Sequence, residues 1–126
     1  MYKKILLGMV AFAMLTMVLA ACKIEDASTL ASGPAAHMGA AAFKEASVNV
    51  KKGEKLNLVD DVAVNHIIVN GTWNGSTQVP KLEPGAPKVN ASITGGSQAV
   101  GPFTTAGTFN LYCTVHGGMQ IKVIVS

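Results

Sequence analysis

The chain contains no arginine, and only three histidines and two cysteines occur among its 126 residues. Ten lysines against seven acidic residues give a net charge of +3, and two of those lysines, Lys3 and Lys4, belong to the N-terminal end. Such a small excess of positive charge argues against a protein that binds nucleic acid electrostatically. No segment has the apolar spacing of an amphipathic helix, which argues against a helical domain.

The N-terminal segment has the features of an export signal. Lys3 and Lys4 precede the apolar run "ILLGMVAFAMLTMVLAAC", and its last four residues resemble a bacterial lipobox. We therefore predict a signal peptide over residues 1–21 and a lipid on Cys22, which anchors the protein to the outer face of the cell membrane or in the periplasm. An uncleaved transmembrane helix is the alternative, because about 18 apolar residues approach the length that spans a bilayer.

Residues 22–42 are rich in alanine, serine and glycine and show no periodicity, which predicts a flexible tether. His37 and Met38 in this segment carry soft metal donors, but a pair in an unstructured segment is seldom a metal site. With Cys22 lipidated, Cys113 has no partner for an intramolecular disulfide bond. An exported protein with one lone thiol must protect or use it.

Residues 43–126 contain short β-rich runs bounded by glycine, proline, asparagine and serine. The predicted strands are 48–50, 56–58, 64–69, 87–93, 107–113 and 119–125. Their number and spacing predict an all-β domain, a Greek-key antiparallel sandwich or barrel. We expect the first two strands to form a hairpin. We expect residues 71–87 to form a long loop over one end of the sheets, where Trp73 either packs or covers a site.

The segment "YCTVHGGM" brings three chemically related side chains together. The turn at Gly117 and Gly118 joins two adjacent strands, so Cys113, His116 and Met119 should converge at one pole of the sandwich. Thiolate, imidazole and thioether form a soft donor set that suits copper, especially Cu(I). A trigonal site with two imidazoles, one thiolate and a weak axial methionine needs a second histidine, and His66 is the only other histidine in residues 43–126.

Other chemistries fit these residues less well. Zinc gains little from a thioether, and a cysteine hydrolase needs an activated thiol at a helix N-terminus or beside a base. A binuclear copper centre needs a second cysteine nearby. Asp60 and Asp61 do not indicate acid/base catalysis, because adjacent carboxylates on an extended chain point apart, and we expect them in a solvated turn.

An early histidine followed by Tyr-Cys-x₂-His-x₂-Met resembles the cupredoxins, small type 1 (blue) copper proteins of the plastocyanin and amicyanin type. The resemblance covers residues 43–126 and includes "VKKG" and "TAGTFNLYC". The two-residue gap between His116 and Met119 is similar to the ligand loop of amicyanins. Members of the family often have proline before and asparagine after the first ligand histidine, where this chain has Asn65 and Ile67.

The resemblance implies a cupredoxin fold with one copper ion, held by the Cys113 thiolate, the His66 and His116 imidazoles and the axial Met119 thioether. It implies a monomeric electron carrier that cycles between Cu(I) and Cu(II), with His116 as the electron port. The partner would be a redox protein such as a c-type cytochrome or a membrane electron-transfer complex. An enzyme is not expected, because protein fills all four coordination positions. The alternative function is extracytoplasmic storage or delivery of copper.

Overall fold

The computed structural model describes residues 33–126, so the predicted signal peptide over 1–21 and the lipidated Cys22 lie outside the described residues. Nine strands occur in this part of the chain. Their bounds are β1 Ala35–Met38, β2 Ser47–Val50, β3 Leu56–Asp60, β4 His66–Asn74, β5 Thr77–Pro80, β6 Asn90–Ile93, β7 Gly96–Val100, β8 Gly107–Cys113 and β9 Gln120–Val125. Over residues 33–126 no helix is long and apolar enough to span a bilayer.

The strands form two sheets. One has the order β1-β3-β7, and the other has the order β2-β9-β8-β4, with β6 against the first half of β4 and β5 against its second half. β1 and β3 are parallel, as are β2 and β9, and the other pairs are antiparallel. The all-β sandwich is thus confirmed, but both sheets are mixed rather than wholly antiparallel.

The core lies between the two sheets, and alternation along each strand selects the side chains that enter it. In β9, Ile121, Val123 and Val125 are buried, whereas the residues between them are exposed. Leu56 and Leu58 of β3, in the other sheet, are fully buried in the same hydrophobic core. Each such side chain contributes about 1.5–3 kcal/mol when removed from water, so these rows fix which face of each strand is internal.

The expectation of a flexible tether over residues 22–42 is wrong for the part that the structure describes. β1 pairs with β3 from Ala35 opposite Asn57 to Met38 opposite Asp60. Ala36 and Met38 are 0% exposed, so this strand is part of the core and the domain begins before residue 43. The sequence did not indicate this strand, because its buried face consists of only one alanine and one methionine, too few to give an apolar alternation.

The predicted first hairpin is also wrong. β2 pairs with β9 and β3 pairs with β1 and β7, so the turn after Val50 carries the chain from one sheet to the other. Local alternation could not reveal this, because two strands joined by a short turn can enter different sheets with the same pattern of buried residues.

Residues 71–87 are not a single long loop. β4 continues to Asn74 and turns through Gly75 and Ser76 into β5, with Asn74 opposite Thr77. Trp73 therefore lies on a strand. β7 was not predicted, because four of its five residues are exposed and its sequence, "GSQAV", has no apolar alternation.

Met38→Ala tests whether β1 belongs to the folded domain. Loss of this buried side chain should reduce the free energy of unfolding by about 2–4 kcal/mol, measured by chemical denaturation. His37→Ala on the same strand is the matched control, because His37 is partly exposed, and it should cost much less. Equal, small effects of the two substitutions would show that β1 contributes no packing.

Candidate metal centre

Along β4, β8 and β9, every second side chain is directed into the core and forms a row of buried residues. Three of the four predicted metal ligands lie at the end of such a row. His66 begins the row of β4 that continues with Ile68, and Cys113 ends the row of β8 that contains Leu111. Met119 immediately precedes β9 and has the inward parity of Ile121. Because adjacent strands place these row ends side by side, the donors meet at one pole of the core.

The loop between β8 and β9 places the fourth predicted ligand, His116. The Cys113 N–H donates to the Met119 carbonyl at 2.9 Å, and the Met119 N–H donates to the His116 carbonyl at 3.3 Å. Gly118 has a φ of 76°, a conformation that side chains other than glycine rarely adopt. The predicted tight turn between two adjacent strands is therefore present.

The three nitrogen and sulfur donors converge. The Cys113 sulfur lies 3.8 Å from Nδ1 of His66 and 3.5 Å from Nδ1 of His116, and all three ligand atoms lie within 4.8 Å of one another. An ion about 2.3 Å from a thiolate sulfur and about 2.0 Å from a ring nitrogen separates those atoms by about 3.5–3.7 Å at an angle of about 110–120°. The spacing therefore fits one transition-metal ion.

Burial distinguishes the ligand positions. His66 and Cys113 are 0% exposed and Met119 is buried, whereas His116 is partly exposed. Burial lowers the pKa of His66, against an opposing effect of the Asp60 charge. The neutral imidazole is the form that binds a metal, so His66 is ready to act as a ligand at neutral pH.

Hydrogen bonds to β4 and β5 hold the start of the ligand loop in place. The Thr114 N–H donates to the Ile67 carbonyl at 2.9 Å and links the two ligand-bearing segments. Trp73 Nε1–H donates to the Cys113 carbonyl at 2.9 Å, and the Gln78 side-chain amide donates to the Thr114 carbonyl at 3.0 Å. The β4–β5 hairpin thus fixes two consecutive carbonyl groups, those of Cys113 and Thr114.

Of the two alternatives predicted for Trp73, the structure shows packing. Its ring packs edge-on against Tyr112 with centroids 6.0 Å apart, and its indole N–H binds backbone at the metal centre. Asn65 stands where members of the family often have proline, and its side chain forms a hydrogen bond of its own. The Asn65 Oδ1 accepts from Thr94 Oγ1 at 3.3 Å. The segments that carry His66 and Cys113 are joined through backbone, by the bond from Thr114 to Ile67.

Asp60 is the residue that sequence reasoning missed. We predicted a solvated turn, but Asp60 is buried and its Oδ1 lies 3.8 Å from Nε2 of His66. The two adjacent carboxylates do point apart, as expected, since Asp61 bonds to Lys44 and His37 near the surface. The burial of Asp60 could have been predicted from the sequence. Inward-facing residues alternate along β3, so after Leu56 and Leu58 the next residue directed into the core is Asp60.

Within residues 33–126, no other group of three histidine, cysteine or acidic residues is close enough to hold a metal. His37 and Met38 do not form a site: the His37 ring binds Asp61 at 3.1 Å and Met38 is in the core. A buried cysteine sulfur, two converging imidazoles and an inward methionine suit a type 1 copper site. Fold and donor set together define a small copper protein of the cupredoxin class.

Comparison with known proteins gives the family. The family of copper-binding proteins described as plastocyanin/azurin matches residues 32–126, so the chain belongs to that family and copper is its cofactor. A search of curated proteins gave no match.

Solved structures confirm the fold. Amicyanin from Paracoccus versutus (Thiobacillus versutus) is similar, with 19% identity, 76% of this chain and 83% of that chain covered, and a TM-score of 0.57. An oxidised proline-to-alanine mutant of amicyanin has 20% identity, coverage of 75% and 82%, and a TM-score of 0.55. The Cu(I) form of a methionine-to-alanine mutant of amicyanin has 18% identity, the same coverage and a TM-score of 0.55.

Trp73→Phe tests whether the hairpin braces the metal centre. The substitution keeps an aromatic ring but leaves the Cys113 carbonyl without its donor, so the free energy of unfolding should fall by about 1–3 kcal/mol, measured by chemical denaturation. Tyr112→Phe is the matched control, because it removes only a 3.3 Å hydrogen bond to Gln78. If the two variants lose the same stability, the indole N–H has no special role.

Proposed function

We propose that the chain is an electron carrier that binds one type 1 copper ion through His66, Cys113, His116 and Met119. The observation that carries this proposal is the convergence of both Nδ1 atoms on one buried sulfur, at 3.8 Å and 3.5 Å. When bound, copper supplies a one-electron change between Cu(I) and Cu(II). An enzyme is not proposed, because these four side chains leave no position for a substrate.

The scaffold supports this function by holding its donors in place. His66 and Cys113 are in strands, and the backbone at Cys113 is fixed by bonds from Trp73 and to Met119. Cu(I) and Cu(II) prefer different geometries, so a rigid compromise between them reduces the rearrangement that accompanies electron transfer. Strand pairing and the hairpin brace are the source of that rigidity here.

His116 is the proposed electron port. It is the partly exposed member of the ligand set, and its neighbour Val115 is 46% exposed. A side chain added at Gly117 or Gly118 would meet no other atom within 4 Å, so a partner can approach the loop closely. A loop with one exposed apolar side chain and two glycines suits close contact with another redox protein, such as a c-type cytochrome or a membrane electron-transfer complex.

Export and membrane attachment through Cys22 are part of the proposal and are supported by the sequence alone. Lys3, Lys4 and the apolar run that ends at Cys22 are typical of a lipoprotein signal. This would place the copper domain outside the cytoplasm, where the partner must also be.

The visible absorption spectrum of the purified protein tests the copper site. Added Cu(II) should give an intense thiolate-to-copper charge-transfer band, and Cys113→Ala should abolish it because the thiolate is its origin. Cys22→Ala is the matched control and should leave the band unchanged. A weakly coloured protein that still binds copper and yields Cu(I) readily to a competing chelator would contradict electron transfer and favour storage or delivery.

Val115→Asp tests the electron port. A charge beside His116 should slow electron exchange between two copies of the protein, measured by NMR line broadening in mixtures of Cu(I) and Cu(II) forms, because identical charges repel at the contact. The absorption spectrum should not change. Leu82→Asp is the control, since Leu82 is 55% exposed and is outside the ligand loop. Equal slowing by both variants would argue against a port at His116.

Mass spectrometry of protein extracted from membranes tests the anchor. The N-terminal peptide should begin at Cys22 and carry the mass of a diacylglycerol, and Cys22→Ser should release the protein from the membrane fraction. An unmodified Cys22 within an intact N-terminal segment would support the uncleaved helix instead.

A further inference from the structure

Asp60 and His66 form a buried pair that the ligand set does not explain. Both side chains are fully buried, and Oδ1 of Asp60 lies 3.8 Å from Nε2 of His66. A buried carboxylate is costly unless charged or hydrogen-bonding groups surround it. Because Asp60 lies beside a proposed metal ligand, we infer that this costly burial serves the metal centre.

The His66 ring has one nitrogen directed at the metal centre and one directed away from it. Nδ1 faces the Cys113 sulfur. Nε2 is the one buried side-chain nitrogen or oxygen atom among the described residues that has no hydrogen-bond partner. Metal-binding histidines almost always donate their second N–H to a carboxylate, a carbonyl or water. The carboxylate of Asp60 faces this atom, and the Gly39 backbone also lies close enough to the His66 imidazole to raise its pKa.

Backbone N–H groups hold the Asp60 carboxylate in place. Gly95 N–H donates to Oδ2 at 2.6 Å and Val62 N–H donates to Oδ1 at 3.1 Å. The Ala63 backbone, which also bonds to the Asp60 carboxylate, has a φ of 56°, a conformation that residues other than glycine rarely adopt. Burial alone would raise the pKa of Asp60, but these donors and His66 together lower it. A carboxyl group that accepts two backbone N–H bonds is held in its ionised form by that geometry.

We propose that Asp60 is a positioning residue for the copper centre, which holds His66 with its proton on Nε2 and favours Cu(II) over Cu(I) through its negative charge. This inference rests on the proposed function. A separation of 3.8 Å is a charge contact, and a shift of less than about 1 Å would convert it into a hydrogen bond. With the proton held on Nε2, the Nδ1 lone pair is on the side of the Cys113 sulfur, where His66 would bind the metal.

The charge of Asp60 acts on the redox equilibrium without taking part in it. On oxidation, a bound Cu(I) ion would give one electron to an external acceptor. No proton would move, because Asp60 would stay ionised and Nε2 of His66 would stay protonated. A nearby negative charge stabilises the more positive ion. Removal of an outer-shell partner changes metal affinity by roughly 10–100-fold. Because loss of the negative charge weakens the binding of Cu(II) more than that of Cu(I), we expect the ratio of the two affinities to change by about tenfold, at the lower end of that range.

The first test is NMR of the metal-free protein, with ¹⁵N–¹H correlations of the His66 ring. The wild-type chain should carry the proton on Nε2, and Asp60→Leu should give a mixture of the two tautomers. A proton on Nδ1 in the wild type would overturn the proposal, and so would an unchanged tautomer in Asp60→Leu. This test needs no copper, so it decides the positioning role even if the proposed function fails.

The second test measures the Cu(II)/Cu(I) ratio against a redox mediator of fixed potential. Asp60→Asn should lower that ratio about tenfold, which corresponds to about 59 mV for one electron. Asp61→Asn is the matched control, because it removes a neighbouring carboxylate that binds Lys44 near the surface, and it should change the ratio much less. Equal shifts in the two variants would overturn the proposal.

A third variant separates charge from packing. Asp60→Glu keeps the negative charge and should keep the ratio much closer to the wild type than Asp60→Asn does. If Asp60→Asn does not fold, as thermal unfolding would show, Asp60→Glu and Asp60→Leu are compared instead. A ratio in Asp60→Glu as low as that of the neutral variant would show that packing, and not charge, sets the equilibrium.

Discussion

The hydrogen bond from the Cys113 N–H to the Met119 carbonyl is the contact on which the metal centre depends. It closes the β8–β9 ladder around the ligand loop and so fixes the register of both strands. A slip of one residue would turn every side chain of a strand to the opposite face, and Cys113 and Met119 would then leave the core. The same tight closure leaves His116 in the loop, at the boundary with solvent.

Both faces of the larger sheet and one strand of the smaller sheet contribute to the centre. On the inner face, β4 supplies His66 and β3 of the opposite sheet supplies Asp60. On the outer face, the β4–β5 hairpin covers Tyr112 and binds the Cys113 carbonyl. Polar groups buried in this way stabilise one arrangement only when each has a partner. The centre is therefore a product of the whole sandwich and not of the ligand loop alone.

The parts of the fold that sequence predicts are those with local signals. The boundaries of β8 agree with the prediction, and its cysteine, the glycine turn and the next strand define the ligand loop without further information. β1 escaped prediction because alanine carries almost no signal of burial. The parallel pairings were also invisible, since the partners are distant in sequence. The burial of Asp60 could have been predicted, because the alternation of inward-facing residues at Leu56 and Leu58 continues to Asp60.

The parallel pairing of β1 with β3 determines which way the domain faces. β3 runs from Leu56 toward Asp60 at the metal centre, and β1 runs beside it in the same direction. Ala35 is therefore at the far end of the sandwich, where the Asn57 N–H donates to the Pro34 carbonyl. Gly33, the first described residue, therefore enters the domain at the end remote from His116, so the chain entry and the ligand loop occupy opposite ends of the sandwich.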